Sequence, residues 1–338
     1  MKQKSVKTDS REKLMGKVLE IFRERSTKPL DLARKEILEM NIESQKAREA
    51  LKYYTKNWDD ITHPGILSIA CEAVGGNPVD AIPIQVVMLL LAAAIDIHDD
   101  IIDQSKIKNG KPTIFGKFGK DMALLVGDAL LMKSFTLLYK CEEKFPQKTV
   151  SALFDTIENT LFEMGNAHLL EIHFKGRLDV IPDEYLKVIE KKAANVEAQT
   201  RIGAIIGKST KNEIEALGKY GRILGILITL REEFIDVFEP EELHNRMKNE
   251  CLPLPILYAF QNPQVKKKIL KKLAKGKISE NTADEIVEIV LSSKEVQKLK
   301  GIMQKISEEA LDIVYQSPEL YIKPMLTLLL RATLEDLQ

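Results

Sequence analysis

The sequence predicts an all-α fold, on three observations. Apolar residues recur at three-to-four spacing in nearly every long segment, as in Leu14, Val18, Leu19 and Phe22, or Leu124, Leu131, Phe135 and Leu138. Proline and glycine punctuate the chain at intervals that mostly leave room for helices of several turns. No block of alternating apolar and polar residues, the signature of a half-buried strand, occurs.

Taken in order, Met1 to Glu12 is polar, mixed in charge and without the apolar stretch of a signal peptide, so residues 1–12 are expected as a loose tail. Helical patterning starts near Lys13, and breaks are predicted at Lys28-Pro29, Gly75-Gly76-Asn77-Pro78, Lys108 to Gly119, Gly176 to Pro182, Asn262-Pro263 and Ser317-Pro318. The most hydrophobic run, Ile82 to Ile97, is interrupted by Pro83 and Gln85 and closed by Asp96 and His98. It falls short of the roughly 20 residues a bilayer requires, so a buried helix and no transmembrane segment are expected. With no linker, low-complexity stretch or fixed-period repeat, residues 13–338 are expected as a single domain.

At 338 residues and 44% hydrophobic, the chain has ample apolar surface for a core. Lys plus Arg equals Asp plus Glu at 50 each, which leaves no nucleic-acid footprint and makes any electrostatic function local. The cysteines, Cys71, Cys141 and Cys251, are odd in number and lack CxxC spacing. They fit a reducing compartment, and a cytoplasmic location is expected.

The sharpest local feature is His98-Asp99-Asp100-Ile101-Ile102-Asp103, at the end of the most hydrophobic helix. Asp99 and Asp103 lie one turn apart on one face with Asp100 beside them, and like charges so placed repel. The last turn of a helix already carries partial negative charge, so the arrangement is unfavourable unless a cation occupies it. Magnesium takes oxygen ligands and bridges carboxylates to phosphates. Taken alone, the acidic cluster fits that chemistry or a solvated acidic helix end.

The stretch beyond Asp103 narrows the choice by its likeness to a known family. Asp103-Gln-Ser-Lys-Ile-Lys108-Asn109-Gly110-Lys-Pro112-Thr113, then Gly127-Asp128-Ala-Leu-Leu, closely resembles the segment after the first aspartate-rich motif of trans-isoprenyl diphosphate synthases, the polyprenyl synthetase family. Other segments are similar in the same order: Cys71 to Gly76, Tyr185 to Ala194, Tyr220 to Gly225 leading into Glu232-Glu233-Phe-Ile-Asp236, and Pro255 to Ala259. The resemblance as a whole extends over roughly residues 30 to 335. The resemblance implies a bundle of about ten or more helices around a central apolar cavity, the class I isoprenoid synthase (terpenoid synthase) fold.

It also implies roles. Asp99 and Asp103 would hold magnesium against the diphosphate of an allylic prenyl substrate, with Asp100 supporting. Glu232 would supply the opposite metal contact, with Glu233 and Asp236 nearby, for two or three Mg2+ ions in all. Lys192 would pair with the leaving diphosphate, and Lys108 stands where the family has an arginine for the same group. Glu232 and Lys192, which is flanked by Lys191, also fit plain surface charges. A homodimer, or a heterodimer with a related synthase, follows from the family alone.

The chain departs from the family where isopentenyl diphosphate would bind. Asp60 stands where a lysine belongs and His63 where an arginine belongs, and the arginine pair after the first motif becomes Lys108-Asn109, losing a bidentate donor. An aspartate repels a phosphate, so isopentenyl diphosphate is expected to bind poorly or elsewhere. The leaving-group side changes less: Ala193 replaces a threonine, Thr229 a glutamine, and the lysine expected near Glu250-Cys251 is missing. Ala92, Ala93, Ala94 and Ile95 occupy positions where a bulky residue limits product length, so a deep cavity for about C15 to C20 or longer is expected. Asp96, three residues before Asp99, fits either a group assisting metal or accepting a proton, or a partner for some Lys or Arg. His98, His168 and His173 form no zinc pattern with the cysteines.

Three functions fit: a magnesium-dependent enzyme that ionises an allylic diphosphate with little or no use of isopentenyl diphosphate, as a terpene synthase or other-acceptor prenyltransferase does; a chain-elongating synthase whose acceptor site is unusual or completed by a partner; and a non-catalytic regulatory subunit. One fold hosts all three.

Overall fold

A computed structural model describes residues 2–108, 110–273 and 279–335, with side chains from Leu14 onward. The all-α expectation holds. In chain order the helices are α1 (Lys2–Leu38), α2 (Gln45–Asn57), α3 (Thr62–Ala73), α4 (Ile82–Ile102), α5 (Ile114–Phe118), α6 (Lys120–Lys140), α7 (Gln147–Ile172), α8 (Pro182–Lys192), α9 (Ala194–Ile206), α10 (Lys211–Phe238), α11 (Pro240–Asn249), α12 (Leu254–Phe260), α13 (Pro263–Leu273), α14 (Glu280–Leu291), α15 (Lys294–Gln316) and α16 (Lys323–Glu335). A minimal antiparallel ladder, β1 (Ile107–Lys108) with β2 (Lys111–Pro112), lies between α4 and α5. Asn109, half of the Lys108-Asn109 pair, lies outside the described residues.

Most breaks fall where glycine and proline predict them. Gly75 and Gly176 take left-handed φ of 77° and 68°, and α8 and α13 begin at Pro182 and Pro263. One expectation fails in α1. The helix, which starts at Lys2, runs through Pro29 to Leu38 with no break at Lys28-Pro29. Val18, Phe22, Leu30, Ala33 and Ile37 are buried along one stripe, and that burial outweighs the roughly 3 kcal/mol an interior proline costs.

The chain divides into two compact units. Unit 1 comprises Met1–Ile157, Gln199–Leu217 and Glu319–Met325; unit 2 comprises Glu158–Ala198, Gly218–Pro318 and Leu326–Gln338. No linker marks the division in the sequence because each unit is assembled from interleaved stretches.

In unit 1, α4 packs against α6, α1 and α3, and its Leu89, Leu90, Ala93 and Ile97 join Ala33, Ile37, Ala50, Ala123 and Leu130 in one core. The close approach of α6 depends on Gly127, where any Cβ would run into the His98 imidazole. By length and composition both α4 and α6 could cross a membrane, since α4 continues past its expected end to Ile102. The apolar surface of α4 is instead used by this core.

In unit 2, α8 packs against α12, and α12 against α13, α14 and α15. Tyr220 is fully buried and donates its hydroxyl to the Leu326 carbonyl at 2.8 Å. Cys71, Cys141 and Cys251 are buried thiols.

Candidate active site

In unit 1 the aspartates gather on the last turns of α4. Asp100 is buried, Asp96 and Asp99 are half-buried, and Asp103 caps the helix end, its N–H bonded to the Asp99 carbonyl at 2.8 Å. Burial first and Asp96 next push the Asp100 carboxyl up to about 7, with Lys108 opposing them. After α4 the chain turns at Gln104, which has a left-handed φ of 57°, and Ser105 N–H returns to the Asp100 carbonyl at 2.8 Å. That turn starts the hairpin that brings Lys108 back to α4. Its ammonium donates to Asp96 Oδ1 at 2.5 Å, so Asp96 is the partner of a lysine, in a pair about half exposed. Against the desolvation penalty, Asp96 and then Asp100 and Asp99 hold Lys108 charged.

Beside this cluster lies a cavity of about 400 Å³, lined by Tyr54, Trp58, Asp60, His63, Asp96 and Lys108 among others, with Ala92 and Ala93 on its wall. His63 Nδ1 sits 2.6 Å from Asp60 Oδ2. Burial would raise the Asp60 carboxyl, but the charge and hydrogen bonds of His63 hold it below the usual range. The cavity therefore has two acid–base pairs on its wall, His63 with Asp60 and Lys108 with Asp96. Ala94 is buried in the core and Ile95 is half-buried, both on α4 just before the aspartates.

Unit 2 holds the other expected residues. Thr229, Glu232, Glu233 and Asp236 lie on α10; Glu232 is exposed, Thr229 half-buried and Glu233 buried. Lys192, the last residue of α8, bonds Glu171 Oε2 at 2.6 Å. Glu171 Oε1 is 3.0 Å from the Tyr185 hydroxyl, which is also 3.0 Å from Glu233 Oε1. Arg246, on α11, reaches into the same buried network: Nη2 donates to Glu233 Oε1 at 2.8 Å, Nη1 to Asp236 Oδ2 at 2.7 Å and Nε to the Cys251 carbonyl at 2.7 Å. Burial pushes the Asp236 carboxyl up to about 7, against the pull of Arg246. Nothing in the sequence motifs pointed to Arg246. It is the one arginine between Asp236 and Leu254, amid several acids, and only that isolation could have marked it.

Among the described residues, no group of three or more His, Cys, Asp or Glu side chains is placed to hold a metal ion. The two acidic motifs differ in how they fit one. On α4 the donors are carboxylate oxygens whose mutual repulsion already draws in Lys108, which is the field a hard divalent cation meets favourably. On α10, Glu233 and Asp236 already hold a guanidinium.

A sequence profile described as polyprenyl synthetase matches residues 17–290. Geranylgeranyl diphosphate synthase of Methanosarcina mazei is 34% identical over 190 residues, covering 56% of this chain and 58% of that protein. Geranylgeranyl diphosphate synthase of Sulfolobus acidocaldarius is 27% identical over 263 residues, 77% of this chain and 76% of that one. The matched stretch thus spans little more than half the length of the first of these relatives. In structure, the chain is similar to geranylgeranyl pyrophosphate synthetase of Pyrococcus horikoshii, with a TM-score of 0.79 and 23% identity over 97% of this chain and 99% of that one. At that identity the likeness speaks for the fold, which is all-α in both.

Proposed function

Because this chain belongs to the polyprenyl synthetase family, we propose that it binds an allylic prenyl diphosphate at the end of α4 and releases pyrophosphate from it, with little or no use of isopentenyl diphosphate as acceptor. Asp99 and Asp103 would hold Mg2+, with Asp100 supporting. When bound, that ion stabilises the negative charge gathering on the departing pyrophosphate. Lys108 is placed by the hairpin to exchange its Asp96 partner for a diphosphate oxygen.

The single observation that carries the acceptor reading is the pairing on the cavity wall. A basic pocket for a second diphosphate needs further cations available to it, yet His63 is paired with Asp60 and Lys108 is already assigned to the first diphosphate. Of the basic side chains lining the cavity, that leaves Lys111. A second diphosphate would meet two carboxylates close at hand. A cytoplasmic enzyme is proposed, in keeping with three buried thiols.

A homodimer is proposed too. Leu125, Met132 and Tyr139 repeat at seven-residue spacing along α6 and are 65%, 66% and 71% exposed, an apolar stripe on one helical face that a second copy would cover. A heterodimer with a related synthase would use the same face.

The second reading is chain elongation, favoured by relatives that are themselves named geranylgeranyl diphosphate synthases. One experiment separates the two. The pure protein is incubated with Mg2+ and C10, C15 or C20 allylic diphosphates, with and without labelled isopentenyl diphosphate. Pyrophosphate release and a hydrocarbon or alcohol formed without isopentenyl diphosphate support the first reading; label in a longer prenyl chain establishes the second.

A further inference from the structure

We propose that Arg246 is the standing cation of the second acidic motif, and that Glu233 and Asp236 carry no metal ion. The inference concerns unit 2 alone and holds whichever reaction the chain performs.

It begins with the oxygens of Glu233. Oε1 accepts from Arg246 Nη2 at 2.8 Å and lies 3.0 Å from the Tyr185 hydroxyl, while Oε2 accepts from the Leu254 N–H at 2.6 Å. Leu254 is the first residue of α12, so this hydrogen bond ties the carboxylate to the backbone of another helix. Each oxygen is therefore bonded to protein, in a side chain only 5% exposed. Magnesium sheds its waters reluctantly and usually keeps several of them, which a site this dry does not accommodate.

Arg246 is fitted just as fully. Each of its three nitrogens donates: Nε to the Cys251 carbonyl, Nη1 to Asp236 Oδ2, and Nη2 to Glu233 and to the Tyr185 oxygen at 2.9 Å. The side chain is 7% exposed. An ion entering between Glu233 and Asp236 would have to displace this guanidinium and leave it buried without its carboxylates, among the most unfavourable states a side chain can take. The fork geometry of arginine spans two acids one helical turn apart, which is the spacing of Glu233 and Asp236 on α10. A protein cation thus supplies the neutralising charge that an acidic motif otherwise takes from solution, and it ties α10, α11, α8 and α12 together. Glu232 is the exposed acid of the motif.

The test counts metal directly. Binding of Mn2+ is followed by electron paramagnetic resonance with inorganic pyrophosphate as the probe anion, in the wild-type protein and in Glu233→Gln, Asp236→Asn and Asp103→Asn variants. The expected result is Mn2+ affinity within about two-fold of wild type for the first two, with a lowered Tm whether or not metal is present, and about ten-fold or greater weakening for Asp103→Asn. Weakening of ten-fold or more in Glu233→Gln or Asp236→Asn would overturn the proposal. A second measurement needs no variant: hydrogen–deuterium exchange of the peptide carrying Leu254, in the wild-type protein with and without Mn2+ and pyrophosphate. Unchanged protection is expected. Loss of protection on adding metal would mean that Glu233 had left the Leu254 N–H for the ion, and the proposal fails.

Discussion

The ammonium of Lys108 lies 2.5 Å from the Asp96 carboxylate, an ion pair that spans twelve residues of chain and closes the hairpin after α4 back onto the acidic turns. The lysine therefore competes with any other cation for those turns while standing ready for a phosphate. Replacing it with methionine separates the two effects. Mn2+ binding without diphosphate should tighten in Lys108→Met, because a competing positive charge is gone. The KM for the allylic diphosphate should rise about ten-fold, the order expected for one lost hydrogen bond between charged groups. Equal weakening of both would show that Lys108 only shapes the hairpin.

Asp99→Asn and Asp103→Asn each exchange a hard anionic ligand for a neutral amide of the same shape. Pyrophosphate release should fall by about a hundredfold or more, with helical circular dichroism and Tm close to wild type. A loss of less than about five-fold in both would remove α4 from the chemistry.

Stability should depend on pH through carboxylates shifted in opposite directions. Burial and neighbouring acids raise Asp100 to about 7, and Asp96, Asp99, Asp103 and Lys108 are the charges that face it. Its folded pKa exceeds its unfolded one, so the folded state binds the extra proton. The resulting stabilisation is full below about pH 4 and is lost as pH rises through about 7. Asp236 acts in the same sense. Asp60 is depressed, and its contribution is lost only on acidification below the ordinary carboxylate range. The Tm of metal-free protein should fall between about pH 5 and pH 8, less steeply in Asp100→Asn and less steeply with added Mg2+. A Tm that climbs over that interval would contradict the assignment.

The apolar stripe on α6 makes its own prediction. Leu125→Glu with Met132→Glu places two charges on the proposed dimer face at positions that are 65% and 66% exposed. Light scattering should show the mass halved, with Tm lowered only as far as the dimer had contributed. An unchanged mass would mean that the stripe is not the interface.

Much of the fold was legible in the sequence, for identifiable reasons. Gly75, Gly176, Pro182 and Pro263 act locally, through φ or a missing N–H, and their breaks fall where predicted. Pro29 did not act locally, because Phe22, Leu30 and Ile37 are all buried on the same helix and tertiary packing overrode it. The acidic turn of α4 could be read because Asp99, Asp100 and Asp103 are neighbours in sequence. The fate of Glu233 could not, since it depends on Tyr185, Arg246 and Leu254, brought to it from separate helices. Asp96 was readable only as either a group assisting metal or proton transfer or a partner for some Lys or Arg; that it takes Lys108 is set by the turn at Gln104.

The segment Glu319–Met325 belongs to unit 1 although nearly all of unit 2 precedes it in the chain, and its Tyr321 N–H bonds the Ala73 carbonyl at 2.8 Å. During synthesis, then, unit 1 cannot finish assembling until the segment Glu319–Met325 has been made. Neither unit can be cut out and exchanged as a single stretch of chain, and removing Glu319–Met325 would loosen helices made long before it.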